Sequence, residues 1–407
     1  MRILHMADIH ARDEDIDEVE KCLNHIIGLA WQEKPALIIH AGDTFDSRNI
    51  RLDSKAAKLI FRAFQELAHI APIAVIIGTP LHDGNAAETL QHVHGKNSIW
   101  VSTRPEQIHL LGGYFSKTPW PEPSDAILSM VPAPTKQYFN TDSDIKGSDA
   151  EIAQAMGVMF AGFGAQASGH ECPHILVGHW NTTGSLISET QTLTGVDIEV
   201  SKDQMALANA DLVCLGHIHK AQQLPGTNIF YSGSIYRNNW GELDEKGVYV
   251  HELVADSCES LGVVSTFHKT PTRKLVKLAY DLTLEGALDN FNANMVDDLY
   301  DYTNEIIEGA YLKCEIKVYQ DEAAKLDREE IGSFFTTLGA KSVDITIIRI
   351  PRENVRSERI LKLTTLREKI IEQARLKGET VSDSILEKAD VLEHEPGEQI
   401  IVKYASL

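Results

Sequence analysis

Residues 3–10 read Ile3-Leu4-His5-Met6-Ala7-Asp8-Ile9-His10, an apolar run with the character of a buried strand that releases an aspartate and a histidine two positions apart. Apolar side chains then recur at Ile16, Val19, Leu23, Ile26, Ile27 and Ala30, the spacing of an amphipathic helix. Residues 36–39 form a second strand-like run. A second helical stripe passes through Ala56, Leu59, Ile60, Ala63, Phe64 and Leu67 and leads into a third run at 74–77. The order strand, helix, strand, helix, strand predicts an α/β fold with helices against a sheet. In such sheets ligands gather where loops leave the carboxyl ends of strands.

Farther along, residues 118–149 are rich in Pro, Ser and Asp and read as loop. A helix is expected near 151–163, then strands at 175–177 and 212–215. The pattern loosens between about 256 and 273, which suggests a boundary. Strand-like runs at 275–281, 311–319 and 343–350 flank helical patterns and predict a smaller α+β unit. From Ser357 onward the tail reads as helical, with one stripe through Ile360, Leu363, Leu366, Ile370 and Ala374 and another through Ile385, Leu386, Ala389 and Leu392. The expected division is 1–265, 270–350 and 351–407.

At 407 residues and 43% hydrophobic content the chain exceeds a single small module. Cys22, Cys172, Cys214, Cys258 and Cys314 are scattered without a CxxC spacing, which indicates neither a disulfide framework nor a thiolate zinc site and fits a reducing cytoplasm. The start, MRILHMADIH, has no basic segment followed by an apolar one, and no apolar run approaches the ~20 residues of a membrane span. A soluble, cytoplasmic protein without membrane contact is the expectation. The formal net charge of −21 opposes nonspecific attraction to nucleic acid, so any such role must rest on local sites.

Five polar clusters follow expected strands: Asp8-Ile9-His10, Gly42-Asp43, Leu81-His82-Asp83, Gly178-His179 and Gly216-His217-Ile218-His219. In extended chain, residues two apart share a side, so Asp8 with His10, and His217 with His219, can each face one site. Carboxylates with neutral imidazoles suit zinc, manganese or iron better than magnesium or calcium. Glycines before Asp43, His179 and His217 let the backbone turn as it leaves each strand. Two nitrogen-rich half-sites around one carboxylate make a two-metal arrangement, the ions about 3.5–4 Å apart, suited to phosphoryl transfer. Asp43 is the natural bridge. Taken singly, each motif is weak, because a histidine or aspartate after a strand is more often ordinary turn or core chemistry.

In this order the five clusters resemble the calcineurin-like metallophosphoesterases over roughly residues 1–250. Gly42-Asp43-Thr44-Phe45-Asp46, the segment Tyr231-Ser232-Gly233-Ser234-Ile235-Tyr236-Arg237 and the segment from Gly241 to Gly247 resemble the SbcD family of DNA-repair nucleases. The resemblance implies a β-sandwich flanked by helices, a capping domain and a helical partner-binding tail. It implies one metal on Asp8, His10, Asp43 and His219 and a second on Asp43, His179, His217 and an asparagine, both manganese by preference. His82 would protonate the leaving oxygen or stabilise the transition state. Implied partners are DNA and an SbcC-like coiled-coil ATPase, with a homodimer inside a heterotetramer.

One stretch departs from the pattern. Where the family has Gly-Asn-His-Asp, this chain reads Gly78-Thr79-Pro80-Leu81-His82-Asp83-Gly84. The asparagine position falls on Leu81 if His82-Asp83 anchors the alignment, or on Thr79 if Gly78 does; Asn85 is a further candidate. A metallophosphoesterase acting on a small phosphodiester or phosphoprotein, or a catalytically weakened assembly subunit, shares the same clusters. Residues 271–350 carry 9 Lys and Arg against 15 Asp and Glu, a poor platform for a duplex. In 351–377 the basic residues Arg352, Arg356, Arg359, Lys362, Arg367, Lys369, Arg375 and Lys377 outnumber four acidic ones, which fits either a solvated helix face or a docking face. Tyr231, Tyr236 and Trp240 are candidates for base stacking or for core packing.

Overall fold

The computed structural model describes residues 1–135, 145–188, 198–255, 261–294, 307–352, 360, 362–396 and 400. Cys258, Arg356 and Arg359 lie outside the described residues, as does part of the expected loop at 118–149. Two compact units form, one of 1–276 with 309–311 and one of 277–308 with 312–407.

In the first unit, the strand Arg2–Met6 pairs in parallel with Leu37–His40, which continues in parallel to Ile73–Ile76 and Ile99–Ser102. On its other side Arg2–Met6 pairs antiparallel with Gly247–Ala255, and that strand with Leu261–Lys269. The helices Ile16–Glu33 and Lys55–Ile70 cover the outer face of this sheet, burying Leu23, Ile26, Ile60 and Phe64 against Leu4, Met6, Ile38 and Val75. The second helix starts where the Ser54 hydroxyl accepts a hydrogen bond from the Ala57 amide, satisfying one of its orphan donors.

A second sheet runs in the order Gln222–Gln223, Ile229–Tyr231, Leu212–Gly216, His174–His179, Ala126–Val131, Glu106–Leu111 and Tyr114–Ser116. Its inner face, with Leu128, Val177 and Cys214, packs on Ile3, Ile39 and Ile76 of the first sheet. Its outer face, with Leu176 and Leu215, is covered by Met156 and Phe160 of the helix Ile145–Ala167 and by Met205. The expected α/β plan therefore forms as two sheets face to face between helical layers. The carboxyl ends of Arg2–Met6, Leu37–His40 and Ile73–Ile76 share one edge because those strands are parallel.

Two local expectations are corrected. The Pro/Ser/Asp-rich stretch read as loop contains the fully buried strand Ala126–Val131, whose apolar run is broken by Ser129 and masked by polar flanks. The stretch where the pattern loosens contains Leu261–Lys269, an edge strand whose partly exposed faces carry no clear alternation. Farther along lies a three-stranded sheet in the order Leu275–Asp281, Tyr311–Tyr319, Ser342–Ile350, and the helix Arg328–Thr337 packs against its last strand. The tail helices of the second unit are Leu366–Lys377 and Asp383–His394. Arg352 pairs with Asp321 and Glu322 and lies 4.2 Å over Tyr319, while Arg367 and Arg375 pair with Asp390 and Glu372, so three of the eight basic residues of this segment are paired locally. Among the described residues no helix is long and apolar enough to cross a membrane.

Candidate metal centre

Six residues from four strand ends converge at the shared edge. Asp8, His10 and His219 offer ligand atoms within 4.8 Å of one another, and so do Asp8, Asp43 and His179. One carboxylate oxygen of Asp43, Oδ2, lies 3.3 Å from His179 Nε2 and 3.7 Å from His10 Nε2, so this side chain faces both groups. The His217 ring sits 5.2 Å from that of His179, and its backbone amide donates to Asp8 Oδ1 at 2.9 Å. His10 Nε2 and His219 Nε2 are 3.0 Å apart.

The convergence arises differently from the simple alternation expected of extended chain. Asp8, His10, Asp43 and His217 all have positive φ, of 51°, 45°, 54° and 89°. Left-handed backbone costs a non-glycine residue about 1–3 kcal/mol and persists where the surroundings over-determine it. Here the amides of Asp8 and His10 donate to the carbonyls of Gly42 and Asp43, which locks the first two loops together. Gly42 does serve the turn, at φ +91°. Gly216 has another reason: a Cβ there would lie 2.2 Å from the Ala41 carbonyl oxygen, so only glycine permits the approach of the two sheets at this edge.

Neighbouring groups aim the imidazoles. His179 Nδ1 donates to the Ala41 carbonyl at 2.7 Å, leaving Nε2 to face Asp43. His219 Nδ1 lies 2.8 Å from Glu242 Oε1, and Lys246 Nζ contacts Glu242 Oε2 at 2.8 Å and donates to the His219 carbonyl. Glu242 and Lys246 are both fully buried, and the sequence reading assigned them no role; their signal was a charged pair four residues apart within the Gly241–Gly247 segment. Such outer partners fix tautomer and orientation of a ligating histidine.

GTPLHDG resolves as a loop built around Asp83. This buried carboxylate accepts from the amides of Thr44, Phe45 and Gly78 at 2.9, 3.2 and 3.0 Å. Thr79 then lands at the centre, with its amide 2.6 Å from Asp43 Oδ1 and its hydroxyl 2.8 and 2.7 Å from the two carboxylate oxygens and 3.5 Å from His179 Nε2. Leu81 is 68% exposed and Asn85 is exposed at the start of the helix Asn85–Glu88. Of the three candidates for the asparagine position, Thr79 alone touches the cluster. His82 places its ring 4.5 Å from that of His10, while Nδ1 donates to the Asp46 carbonyl at 2.9 Å.

Electrostatics fit a cation. Burial pushes the Asp8 carboxyl up to about 6, while burial of Asp43 is outweighed by His179, His10 and His82, which hold it well below the usual carboxylate range. Burial would lower His179, but Asp43 and Asp8 raise it to about 9. Burial keeps His10 well below its ordinary value and lowers His217 to about 3. Asp8 Oδ2 is buried with no hydrogen-bond partner among the described residues. An ionised oxygen in that state is costly unless a cation meets it. Carboxylates with imidazoles suit divalent ions of the transition series, whose binding would displace the proton that Asp43 and Asp8 hold on His179.

A two-sheet fold with this cluster at one edge defines a metallophosphoesterase, and residues 1–221 match the calcineurin-like phosphoesterase family. The chain belongs to that family. More particularly, it is similar to the SbcD component of nuclease SbcCD from Staphylococcus epidermidis, 25% identical over 264 residues covering 61% of this chain and 65% of the relative. The corresponding SbcCD component from Staphylococcus saprophyticus is 23% identical over 266 residues, covering 62% and 66%. The chain thus aligns over less than two thirds of the length of these relatives.

Proposed function

We propose that the chain is a metal-dependent DNA nuclease of the SbcD kind, hydrolysing phosphodiester bonds at DNA ends with two divalent ions, manganese by preference. The observation that carries this reading is Asp43 set between His10 and His179, with Asp8 Oδ2 unpartnered beside it. Asp8, His10, Asp43 and His219 would hold one ion, and Asp43, His179, His217 and Thr79 the other. Ions bound there supply Lewis acidity toward the phosphate and a nucleophile from water near neutral pH.

The protein's own groups do the rest. Because the Asp46 carbonyl can only accept, His82 keeps its proton on Nδ1, and the imidazolium form carries a second proton on Nε2. That proton passes to the leaving oxygen as the ester bond breaks, returning His82 to the neutral tautomer. Glu242 and Ala41 hold the His219 and His179 rings so that their Nε2 atoms face the cluster.

A cavity of about 570 Å³ adjoins the site, lined by Arg12, Asp46, Asn238, Trp240 and Arg273. Its size admits a nucleotide, and half-buried Trp240 offers a ring for a base. Tyr231 and Tyr236 are buried, their hydroxyls donating to the carbonyls of Trp180 and His10, so they serve packing instead. For the C-terminal parts, 270–350 is proposed as a cap and 351–407 as the docking segment for an SbcC-like ATPase, within a heterotetramer. Exposed Ile371, Leu376, Ile385 and Leu392 on the two tail helices support docking of an apolar helix face.

The test is cleavage of linear duplex and hairpin DNA by the purified chain, alone and with such an ATPase, in manganese. Asp43→Ala and His82→Ala should each abolish cutting; persistence in both refutes the site assignment. Hydrolysis of small phosphodiesters without any cutting of DNA would move the reading to a small-molecule phosphodiesterase.

A further inference from the structure

A second group of metal-ligating side chains lies in the core, remote in kind from the first because it includes a thiol. His5, Cys214 and His251 offer ligand atoms within 4.8 Å of one another, and all three are buried. His5 and His251 come from neighbouring antiparallel strands of the first sheet, where His5 faces Tyr249 and Ile3 faces His251, so the two histidines are diagonal neighbours on one face. Cys214 comes from the opposing sheet, in the strand Leu212–Gly216. Their surroundings are Phe230, Tyr249 and the apolar layer between the sheets.

We propose that His5, His251 and Cys214 bind a d10 transition-metal ion, Cu⁺ or Zn²⁺, that staples the two sheets of the sandwich. Two observations carry this. The distance between His5 Nδ1 and His251 Nε2 is 3.3 Å. Two nitrogens each about 2.0–2.1 Å from one tetrahedral ion are separated by about 3.3–3.4 Å, so the spacing that one N–H···N hydrogen bond spans in the metal-free chain also fits a shared ion. His251 Nδ1 meets Ser265 Oγ at 2.7 Å, across the directly paired residue of the next strand, which turns Nε2 toward the cluster as an outer partner does for a ligating histidine.

The donor set selects the ion. A thiolate with two imidazoles suits soft or borderline ions and is foreign to magnesium, calcium and manganese. Binding releases the Cys214 proton, and with Cu⁺ the buried group is then electrically neutral. No CxxC or HxH spacing announces such a site, because its ligands are contributed by three strands spread from position 5 to position 251.

The experiment is a Co²⁺ titration of the chelator-stripped full chain, followed by the thiolate-to-cobalt charge-transfer band in the near ultraviolet. The candidate phosphoesterase centre contains no thiolate, so the band does not arise there, and Cys214→Ser tells the core site from the other cysteines. The band should develop by three equivalents, two of which the candidate phosphoesterase centre can take; Cys214→Ser should lose it, and Asp43→Asn should keep it. If Cys214→Ser does not fold, His251→Gln serves, with at least a tenfold higher cobalt concentration needed for the same absorbance. Displacement of the band by zinc assigns Zn²⁺, whereas withdrawal of one equivalent of Cu⁺ from a bicinchoninate complex by the wild type but not by Cys214→Ser assigns Cu⁺. A wild-type chain that develops no band and takes up no Cu⁺, or a band unchanged in Cys214→Ser, overturns the proposal. Retention in Asp43→Asn keeps this outcome separate from the fate of the nuclease reading.

Discussion

Glu242→Gln separates what this buried carboxylate does for the fold from what it does for the metal centre. Glu242 and Lys246 are 2.8 Å apart with both side chains fully buried. Burial would raise the Glu242 carboxyl, but His219 and Lys246 hold it well below the usual carboxylate range. Removing one member of a buried ion pair costs about 3–5 kcal/mol, because the other charge is left without compensation. Lys246, already lowered by burial, can shed its proton at pH 7 for about 5 kcal/mol, which caps the loss. Glutamine still accepts from His219 Nδ1 but as a neutral group, so metal affinity should fall about 10- to 100-fold. In the double variant Glu242→Gln/Lys246→Met neither charge of the buried pair remains, and stability should return to within about 1 kcal/mol of wild type. The metal deficit should persist. All five tryptophans lie at or before position 240, so their fluorescence follows the first unit in urea, with chelator present. Isothermal titration with Mn²⁺ reads the affinity. An unchanged urea midpoint in Glu242→Gln, or recovery of metal affinity together with stability in the double variant, refutes the reasoning.

Thr79→Asn places an amide oxygen where the hydroxyl now lies against Asp43, and the second manganese ion should bind about 3- to 10-fold more tightly by calorimetry. Phe64→Ala, at a fully buried position of the first core, should cost about 3–5 kcal/mol in urea unfolding. Buried His40 and His251 are both lowered to about 3, first through desolvation, whereas the unfolded chain titrates near the ordinary value. Below that value the unfolded state binds more protons, so stability is lost on acidification; between pH 7 and 5 each histidine should remove about 2 kcal/mol, visible in the urea midpoint of the metal-free chain and smaller in His40→Gln.

Much of the first unit was legible because its signals are local. The strand at 3–7, the helices beginning at Ile16 and near Ala56 and the run at 74–77 rest on hydrophobic period alone, and each forms within a few residues of the expected bounds. Ala126–Val131 and Leu261–Lys269 escaped because polar flanks hide the former and the edge position of the latter removes its alternation.

The sequence by itself determined the chemistry on offer at the centre: aspartates and histidines placed after strands, in an order that resembles a phosphoesterase site. Tertiary structure decided what that chemistry amounts to. The left-handed backbone at Asp8, His10, Asp43 and His217 depends on hydrogen bonds between loops far apart in the chain. Whether Thr79 or Leu81 would meet Asp43 was open until Asp83 anchored the loop to the amides of Thr44, Phe45 and Gly78. The Glu242 support of His219 and the meeting of His5, His251 and Cys214 were beyond sequence for the same reason. Side chains brought together by sheet pairing and sheet packing share no spacing along the chain, and only the folded backbone sets their distances.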